Sequence, residues 1–302
     1  MSNTNTNLTS TIVADEFLPA LQLSLLPLQA LSFMAVADRP LYYGDAVRVP
    51  ILTARTGGTF AGNWETGDTT TATQSVTIAK PSFASWYIDP TEETPTAERF
   101  AAMGRECAYA VGKTVLQAVL AKFVAANIGS TGDTDTKTVT VGNYDSSDLV
   151  DQWELIKGKG VQGQISAIHS VSYAAALQKD AAVKDKSASG MNTFSTGEFG
   201  SPIAGMRIFY TDAFPTAVTN ENTEVIVTGP TTAAIAMGAA GDPTGLENAA
   251  GLRQEIIRDP ETGLSFTYRE WVNTATGFHW GAIAMMYGTA FVQNAATRVI
   301  SS

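Results

Sequence analysis

The chain has 302 residues, of which 44% are hydrophobic and only 16% are charged, whereas roughly a quarter of the residues in soluble proteins carry a charge. Its length predicts one large domain or two interleaved ones. The net charge is −10, and no cluster of lysine and arginine follows the pattern of a phosphate backbone, which argues against sequence-specific nucleic-acid binding. The single cysteine, Cys107, excludes an internal disulfide framework and a cysteine-based zinc site within one chain.

The low charge has two explanations that composition alone does not separate. In the first explanation, much of the exterior is buried against copies of the same chain. Such burial would account for the low charge because interface cores are depleted of lysine, glutamate and aspartate. Alternatively, the surface is neutral and rich in threonine, serine, asparagine and glycine.

The N-terminal part is expected to be an arm. Residues 1–12 are mostly Ser, Thr and Asn, which predicts a mobile tail. Residues 15–34 are apolar but are divided by Pro19 and Pro27, so we expect no single long helix there, and we expect the segment to lie on a surface of this chain or of a neighbour. These prolines, and the lack of Lys or Arg before Arg39, argue against a signal peptide or membrane span and favour a mature, cytosolic, soluble chain.

Two alternating segments predict two long strands, over residues 46–55 and 74–88. Residues 56–73 between them have too few apolar side chains for a core, so we expect a projecting two-stranded loop. An isolated hairpin is marginal in water, which implies that another surface covers this one.

A long helix is predicted next. Thr94 can cap it and Pro95 suits its first turn. From residue 96 to about residue 126, apolar side chains recur at helical spacing. Such a rod is about 45 Å long, which is typical of a structural spine.

Beyond Gly129 the pattern alternates between short helices and strands. We predict a hairpin at 137–141, helices at 147–157 and 171–179, strands at 164–169, 207–211, 224–228, 252–258 and 264–272, and a last strand pair over 281–299 that is split near Gly288. Residues 230–241 are small and receive no assignment.

No motif supports catalysis or metal binding. The GxGxxG pattern at 158–163 follows a predicted helix instead of opening one, so it predicts a helix stop and a turn. Asp133 and Asp135 lack the other residues of a calcium loop and predict a solvated turn. His169 and His279 have no metal ligand at a suitable spacing, and the chain has no GxSxG elbow. We therefore expect no enzyme, no cofactor and no metal, and we expect both histidines to be structural.

Three stretches and their order along the chain carry a resemblance. They are residues 42–50 (YYGDAVRVP), residues 165–177 (ISAIHSVSYAAAL), and residues 200–215, which begin GSPIAG and end DAFP. With the arm, loop and long helix, they make nearly the whole chain similar to the major capsid proteins of tailed bacteriophages, the Hong Kong 97-type fold, which encapsulin shells share.

The resemblance implies an α+β fold with five segments. These are an N-terminal arm (1–45), an extended two-stranded loop (46–90), a peripheral domain with the spine helix (91–130), a central axial domain (131–250), and strands that return to the peripheral and partly to the axial domain (251–302).

It also implies a function and partners. The chain is expected to be a virion structural subunit, made in the host cytoplasm, that self-assembles into hexamers and pentamers of an icosahedral or prolate head enclosing double-stranded DNA. Because the arm is too short to contain a scaffold, we expect a separate scaffolding protein, a portal and optional decoration proteins, and no membrane. The alternatives are an encapsulin-like cargo shell, or another virion protein such as a decoration or tail protein.

Some members of this family join neighbouring subunits by an isopeptide bond between an extended-loop lysine and an asparagine. No lysine lies between Ile51 and Ala79, so we expect no such crosslink. The candidate intersubunit contacts in the loop are Arg55, Trp64, Glu65 and Asp68. Trp64 is the expected anchor, because indole rings are enriched at binding hot spots; alternatively, it packs on its own hairpin.

Overall fold

The structure, a computed structural model, describes residues 10–31, 33–36, 39–51, 72–79, 81–89, 97–161, 163–180, 183, 202–215, 222–230, 232–241, 252–259 and 263–301. The helices, in chain order, are α1 (Ser10–Leu25), α2 (Ala97–Leu120), α3 (Ala125–Ile128), α4 (Ser146–Gly158) and α5 (Val171–Lys179). The strands are β1 (Phe33–Val36), β2 (Ala46–Ile51), β3 (Ala72–Thr77), β4 (Ser82–Ile88), β5 (Thr136–Thr138), β6 (Ser166–Ser170), β7 (Arg207–Thr211), β8 (Thr223–Thr228), β9 (Ala233–Ala239), β10 (Leu252–Arg258), β11 (Ser265–Val272), β12 (His279–Phe291) and β13 (Ala296–Ile300).

The arm is helical and lies on its own chain. Helix α1 continues through Pro19, so the expectation that no long helix forms is wrong there. Pro19 removes one backbone donor, but Phe17 and Leu21 are fully buried against the core, and this packing outweighs the lost hydrogen bond. Pro27 does end the α-helix, which changes to a 3-10 helix at Leu26–Ala30.

Helices α1 and α2 touch closely because α2 carries glycine at two contact positions. A Cβ atom on Gly104 would lie 2.1 Å from the ring of Phe17, and one on Gly112 would lie 1.8 Å from Oγ of Ser24. The contacts advance in the same direction along both helices, so the two helices run parallel. The pair covers one face of the larger sheet.

The spine helix α2 has 24 residues, or about 36 Å at ~1.5 Å per residue, and is shorter than predicted. It ends at Leu120, where the N–H of Phe123 donates to the carbonyl of Leu120 at 3.0 Å and tightens the last turn. No glycine or proline marks this end. Instead, Phe123 turns into the core, where it is fully buried.

The larger sheet, called the peripheral sheet below, has six strands. Their order is β1-β9-β12-β11-β10, and β4 is also paired to β12. The predicted split of the last strand near Gly288 is wrong, since β12 is one strand of 13 residues. A Cβ atom on Gly288 would lie 2.4 Å from the carbonyl oxygen of Thr77. Glycine therefore serves here to let another backbone approach, and not to break the strand.

The predicted strand over residues 74–88 is in fact two strands in different sheets. Strand β3 pairs antiparallel with β2, from Ala46 opposite Thr77 to Ile51 opposite Ala72. Strand β4 pairs antiparallel with β12. Pro81 lies between them and cannot donate to a ladder, so pairing changes partner at this point.

The central sheet has the order β5-β13-β8-β6-β7, and α4 and α5 lie against it. The predicted hairpin at 137–141 is wrong, because β5 pairs in parallel with β13. The unassigned segment 230–241 contains β9, which is buried at every position. A strand of small residues that is buried on both faces has no alternation to reveal it.

Arg298 joins Gly129, the residue directly after α3, to the central sheet. It lies on β13 and is only 1% exposed. Its Nη2 donates to the carbonyl of Gly129, which follows α3, at 2.7 Å, and its Nε donates to Oγ1 of Thr136 at 3.2 Å. A buried guanidinium is tolerated because these oxygens satisfy its donors.

The helix contact yields a prediction about Gly112. Replacing Gly112 with alanine should lower the free energy of unfolding by about 1–3 kcal/mol, because the new methyl group overpacks the α1–α2 contact. Urea denaturation measures this change. Adding Ser24→Ala to the same chain should restore part of the loss, since it removes the oxygen 1.8 Å from the new atom.

The matched control is Gly158→Ala at the end of α4, where a Cβ atom meets nothing within 4 Å. It should be neutral or stabilising by up to about 1 kcal/mol, because alanine favours helix. Equal effects at both glycines would contradict the close-contact explanation.

Candidate assembly surface

One face of the peripheral sheet carries a row of aromatic side chains across adjacent strands. Tyr87 lies opposite Trp280, Trp280 lies opposite Trp271, and Trp271 lies opposite Leu252. Register partners project to the same face of a sheet, so the four side chains form one row. The ring centroids of Tyr87 and Trp280 are 4.9 Å apart, those of Trp271 and Trp280 are 5.9 Å apart, and Phe278 extends the row by stacking on Tyr87 at 5.2 Å.

The two faces of this sheet differ sharply in exposure. Along β4, Trp86 and Ile88 are buried under the helices at 5% and 2% exposure, whereas Phe83 and Tyr87 are 70% and 47% exposed. Both sets of side chains are apolar. An alternating strand on a solvated face normally carries polar residues, so this face has the composition of a contact surface.

A groove of about 850 Å³ runs along this face. Its walls include Tyr42, Tyr43, Phe83 and Trp271, and the small side chains of β12 form its floor. Among the described residues that line it, Arg269 alone carries a charge, and its Nε donates to Oε1 of Gln254 at 2.7 Å. The groove is therefore apolar with one cationic position.

A tight turn places the two tyrosines over the groove. Gly44 has a φ of +87°, a conformation that favours glycine, and its N–H donates to the carbonyl of Ile78 at 3.1 Å. The ring of Tyr42 lies against Gly241, where a Cβ atom would be 2.5 Å from it. The neighbouring Tyr43 remains 69% exposed.

The base of the β2–β3 hairpin is anchored beside the groove. Val49 and Val76 are buried at 2% and 0% exposure and share a cluster with Ala236 and Met286 of the sheet. The predicted contacts Arg55, Trp64, Glu65 and Asp68 belong to residues 52–71, which lie outside the described residues, and they stay predictions. The groove itself was not predicted.

His279 and Glu270 lie on the inner face of the same strands. Their Nε2 and Oε1 atoms are 2.6 Å apart, and the second oxygen of Glu270 accepts from the hydroxyl of Tyr268 at 3.2 Å. Burial by itself raises the pKa of Glu270, but the hydrogen bond and charge of His279 outweigh it, and the pKa of this carboxyl is lowered.

His169 is fully buried on β6 of the central sheet, where its Nε2 lies 2.8 Å from the hydroxyl of Tyr144. Burial lowers the pKa of His169 to about 3 and raises that of Tyr144. No carboxylate shares this pair's hydrogen bond in the described contacts, so the geometry is that of a neutral core bond.

The remaining sequence motifs take structural positions. The GxGxxG pattern forms the end of α4 and a turn, with φ of +73° at Gly160 and +95° at Gly163. Asp135 is not merely solvated, because it pairs with Lys159 at 2.8 Å. Cys107 is only partly buried. Among the described residues, no group of three His, Cys, Asp or Glu side chains could hold a metal ion.

In the part of the chain that the structure describes, no helix combines the length and the apolar composition needed to cross a membrane.

Comparisons with solved structures return phage chains. A chain in the capsid of Ralstonia phage GP4 is 12% identical, with 90% of each chain covered and a TM-score of 0.53. A chain of Mycobacterium phage Ogopogo is 13% identical, with 91% of each chain covered and a TM-score of 0.53. A chain in the capsid of cyanophage P-SCSP1u is 15% identical, with 90% of this chain and 86% of that chain covered and a TM-score of 0.50.

The chain has the fold of phage capsid chains. This confirms the predicted α+β fold class of the Hong Kong 97 type, whereas the boundaries of its five segments stay a prediction. No protein-family model matches the sequence, and no curated protein matches it. At such low identities the comparisons establish the fold alone.

The buried histidine yields a pH prediction. Its pKa is about 3 in the folded chain and about 6.5 when unfolded, so the unfolded state binds the extra proton as the pH falls through the unfolded value. Stability should therefore drop by about 2 kcal/mol between pH 7 and pH 5 from this group alone. The urea midpoints of the wild type and of His169→Gln are measured at both pH values. The difference between their pH dependences gives the contribution of His169 to the stability change, because the variant lacks the titratable group.

Tyr144→Phe is the matched control. It removes the hydrogen-bond partner but leaves the imidazole buried, so it should lower stability at both pH values and keep the pH dependence. A wild-type pH slope equal to that of His169→Gln would contradict a buried neutral histidine.

Proposed function

We propose that the chain is a structural subunit of a phage head, and that copies of it assemble into hexamers and pentamers enclosing double-stranded DNA. The observation that carries this proposal is the exposed aromatic face of the peripheral sheet. Soluble monomers rarely expose contiguous apolar patches of this kind, and larger ones mark interaction sites. The capsid fold makes another copy of the chain the natural partner.

The charge of the surface supports the same conclusion. Only 16% of the residues are charged, and the groove contains one cation among its described lining residues. Interface cores are depleted of charge and enriched in tyrosine, tryptophan and arginine. A groove walled by Tyr42, Tyr43 and Trp271 around Arg269 has this composition.

The extended loop supplies the complementary groups. We propose that Arg55, Trp64, Glu65 and Asp68 contact a neighbouring subunit. Trp64 offers an aromatic anchor, and the acidic Glu65 has the charge opposite to that of Arg269. The other proposed partners are a separate scaffolding protein, a portal and, optionally, decoration proteins. The proposed structural role requires no catalytic activity.

The direct test is to express the chain alone and with its neighbouring scaffold gene, and to measure particle mass by sedimentation and electron microscopy. Closed shells or hexamer and pentamer rings support the proposal. Nucleic acid inside them supports a phage head, whereas enclosed enzymes favour the cargo-shell alternative. A chain that stays monomeric at high concentration in both conditions contradicts assembly. Boiled particles should run as single chains, since no lysine lies between Ile51 and Ala79.

The groove yields a prediction about Phe83, which is 70% exposed and has no role in the core. Phe83→Ala should raise the chain concentration needed for particles by about tenfold, equal to ~1.4 kcal/mol for each chain added, because it removes an interface side chain. The urea midpoint of the unassembled chain should not change. The control is Val150→Ala on α4, where the side chain is 43% exposed and lies outside the groove. An equal effect of this substitution on assembly would contradict the assignment of Phe83 to the interface between chains.

The loop yields a second assembly prediction. Trp64→Ala should weaken particles by at least as much as Phe83→Ala while leaving the unassembled chain stable, because a hot-spot indole contributes about 2 kcal/mol or more. Sedimentation of particles and denaturation of the unassembled chain measure the two effects. Equal losses in both would show that Trp64 packs on its own hairpin.

A further inference from the structure

Strand β10 is the outermost strand on one side of the peripheral sheet. Among the described strands it pairs only with β11, and its seven residues keep one continuous register with that strand, without a bulge. An edge strand of this kind presents a row of backbone N–H and C=O groups with which another strand can pair. The sheet therefore ends on this side in a strand that can accept a further one.

The ladder shows which backbone groups of β10 point outward. Directly after the strand, the N–H of Asp259 donates to the carbonyl of Leu264 at 2.8 Å, so these two residues form a hydrogen-bonded pair. Hydrogen-bonded and non-hydrogen-bonded pairs alternate along an antiparallel ladder, so the odd-numbered residues of β10 bond to β11. The N–H and C=O groups of Leu252, Gln254 and Ile256 consequently point away from β11, toward the side where the structure describes no further strand.

The side chains of residues 252–256 (LRQEI) are complementary to themselves in the antiparallel direction. When two copies pair about Gln254, Arg253 of each lies opposite Glu255 of the other, and Leu252 lies opposite Ile256. Opposite-charge and apolar pairs of this kind stabilise adjacent strands. Within one chain the two charged side chains already lie 3.2 Å apart and are 47% and 33% exposed, so they are accessible at this edge.

This register is also one that the outward backbone groups permit. It pairs residue 254 with 254 and residue 252 with 256, so every residue with outward groups meets another such residue, and about six backbone hydrogen bonds form. Arg253 and Glu255 then lie at non-hydrogen-bonded positions, where facing side chains are closest. Moving the centre by one residue, to 253 or 255, would place two arginines or two glutamates opposite each other.

The pairing also extends the aromatic row of the candidate assembly surface. Leu252 ends that row opposite Trp271. Ile256 is four residues further along β10, so it projects to the same face, and it is 44% exposed in the single chain. In the pair, Ile256 of each copy lies beside Leu252 of the other and takes the next place in its row.

We propose that β10 pairs with β10 of a second copy about a twofold axis through Gln254, which joins two peripheral sheets into one. Such a contact is isologous, because the same surface serves both partners, whereas the contacts around a ring of five or six chains are heterologous. The contact therefore joins chains of different rings. This place in a shell rests on the proposed function, whereas the pairing of two chains does not.

The register is tested by disulfide formation in particles, with Cys107→Ser added because Cys107 is the single cysteine of the chain. We expect Gln254→Cys to give a covalent dimer on mild oxidation, since residue 254 faces itself at about 5.5 Å between Cα atoms, within the range of a disulfide. Leu252→Cys and Ile256→Cys should each stay single when assembled alone and should crosslink when assembled together. Dimers of Leu252→Cys alone, or no dimer in any preparation, would overturn the pairing.

A second test removes an outward backbone donor. Ile256→Pro deletes an N–H that does not bond to β11, a position where an edge strand tolerates proline, so circular dichroism should show a folded chain. The dimer yield of Gln254→Cys should fall by about tenfold or more, because each dimer loses two backbone hydrogen bonds. The matched control, Ile256→Thr, keeps the N–H and should lower the yield much less. Equal yields with proline and threonine would contradict strand pairing.

Glu255 separates the pairing from a protective role of the edge. Charged side chains on an edge strand can keep other strands away. In that case, Glu255→Gln would raise the dimer yield of Gln254→Cys, and the pairing would be wrong. The proposed contact predicts a fall of about threefold instead, because both copies lose an opposite charge.

The unassembled chain separates this contact from the proposed function. If no particles form under any condition, the proposed function is contradicted. The same oxidation is then carried out on the concentrated unassembled chain. A dimer of Gln254→Cys that Leu252→Cys does not form supports the pairing, and its absence overturns the pairing.

Discussion

The close contact between α1 and α2 is the constraint on which the rest of the peripheral region depends. Because Gly104 and Gly112 remove the side chains that would separate the helices, the arm can lie against the spine and share its core. The pair of helices then seals one face of the sheet, with Phe17 and Phe100 filling the space above Trp86. The aromatic side chains of the other face have no such cover from the helices, so the surface available to a neighbour follows from how the helices pack.

Elements with strong local signals were predictable from the sequence. The bounds of α5, β7 and β10 coincide with the predicted ones, because each is bordered in the sequence by turn or cap residues. The spine was recognisable for the same reason. Its end was not, since it depends on Phe123 turning into a core formed by distant segments.

The errors share a physical cause, which is that the deciding partner lies far away in the sequence. The sequence predicts a break at Gly288 because it does not reveal the carbonyl of Thr77 that approaches there, and it gives no strand signal for β9 because burial on both faces removes the alternation. No single sequence pattern predicts the groove, because its lining residues come from six separate segments of the chain. A signal was present, however: Trp86 beside Tyr87 places aromatic residues on both faces of one strand, which predicts a sheet with no solvated side.

Arg298 has a mechanical consequence for a subunit built in this way. Its guanidinium holds the carbonyl of Gly129 at the end of the helical region, while its backbone belongs to β13, a strand paired along both edges. A tensile load along the spine therefore passes through hydrogen bonds in a water-excluded site into the interior of the central sheet, and bypasses the connecting turn at residues 130–135.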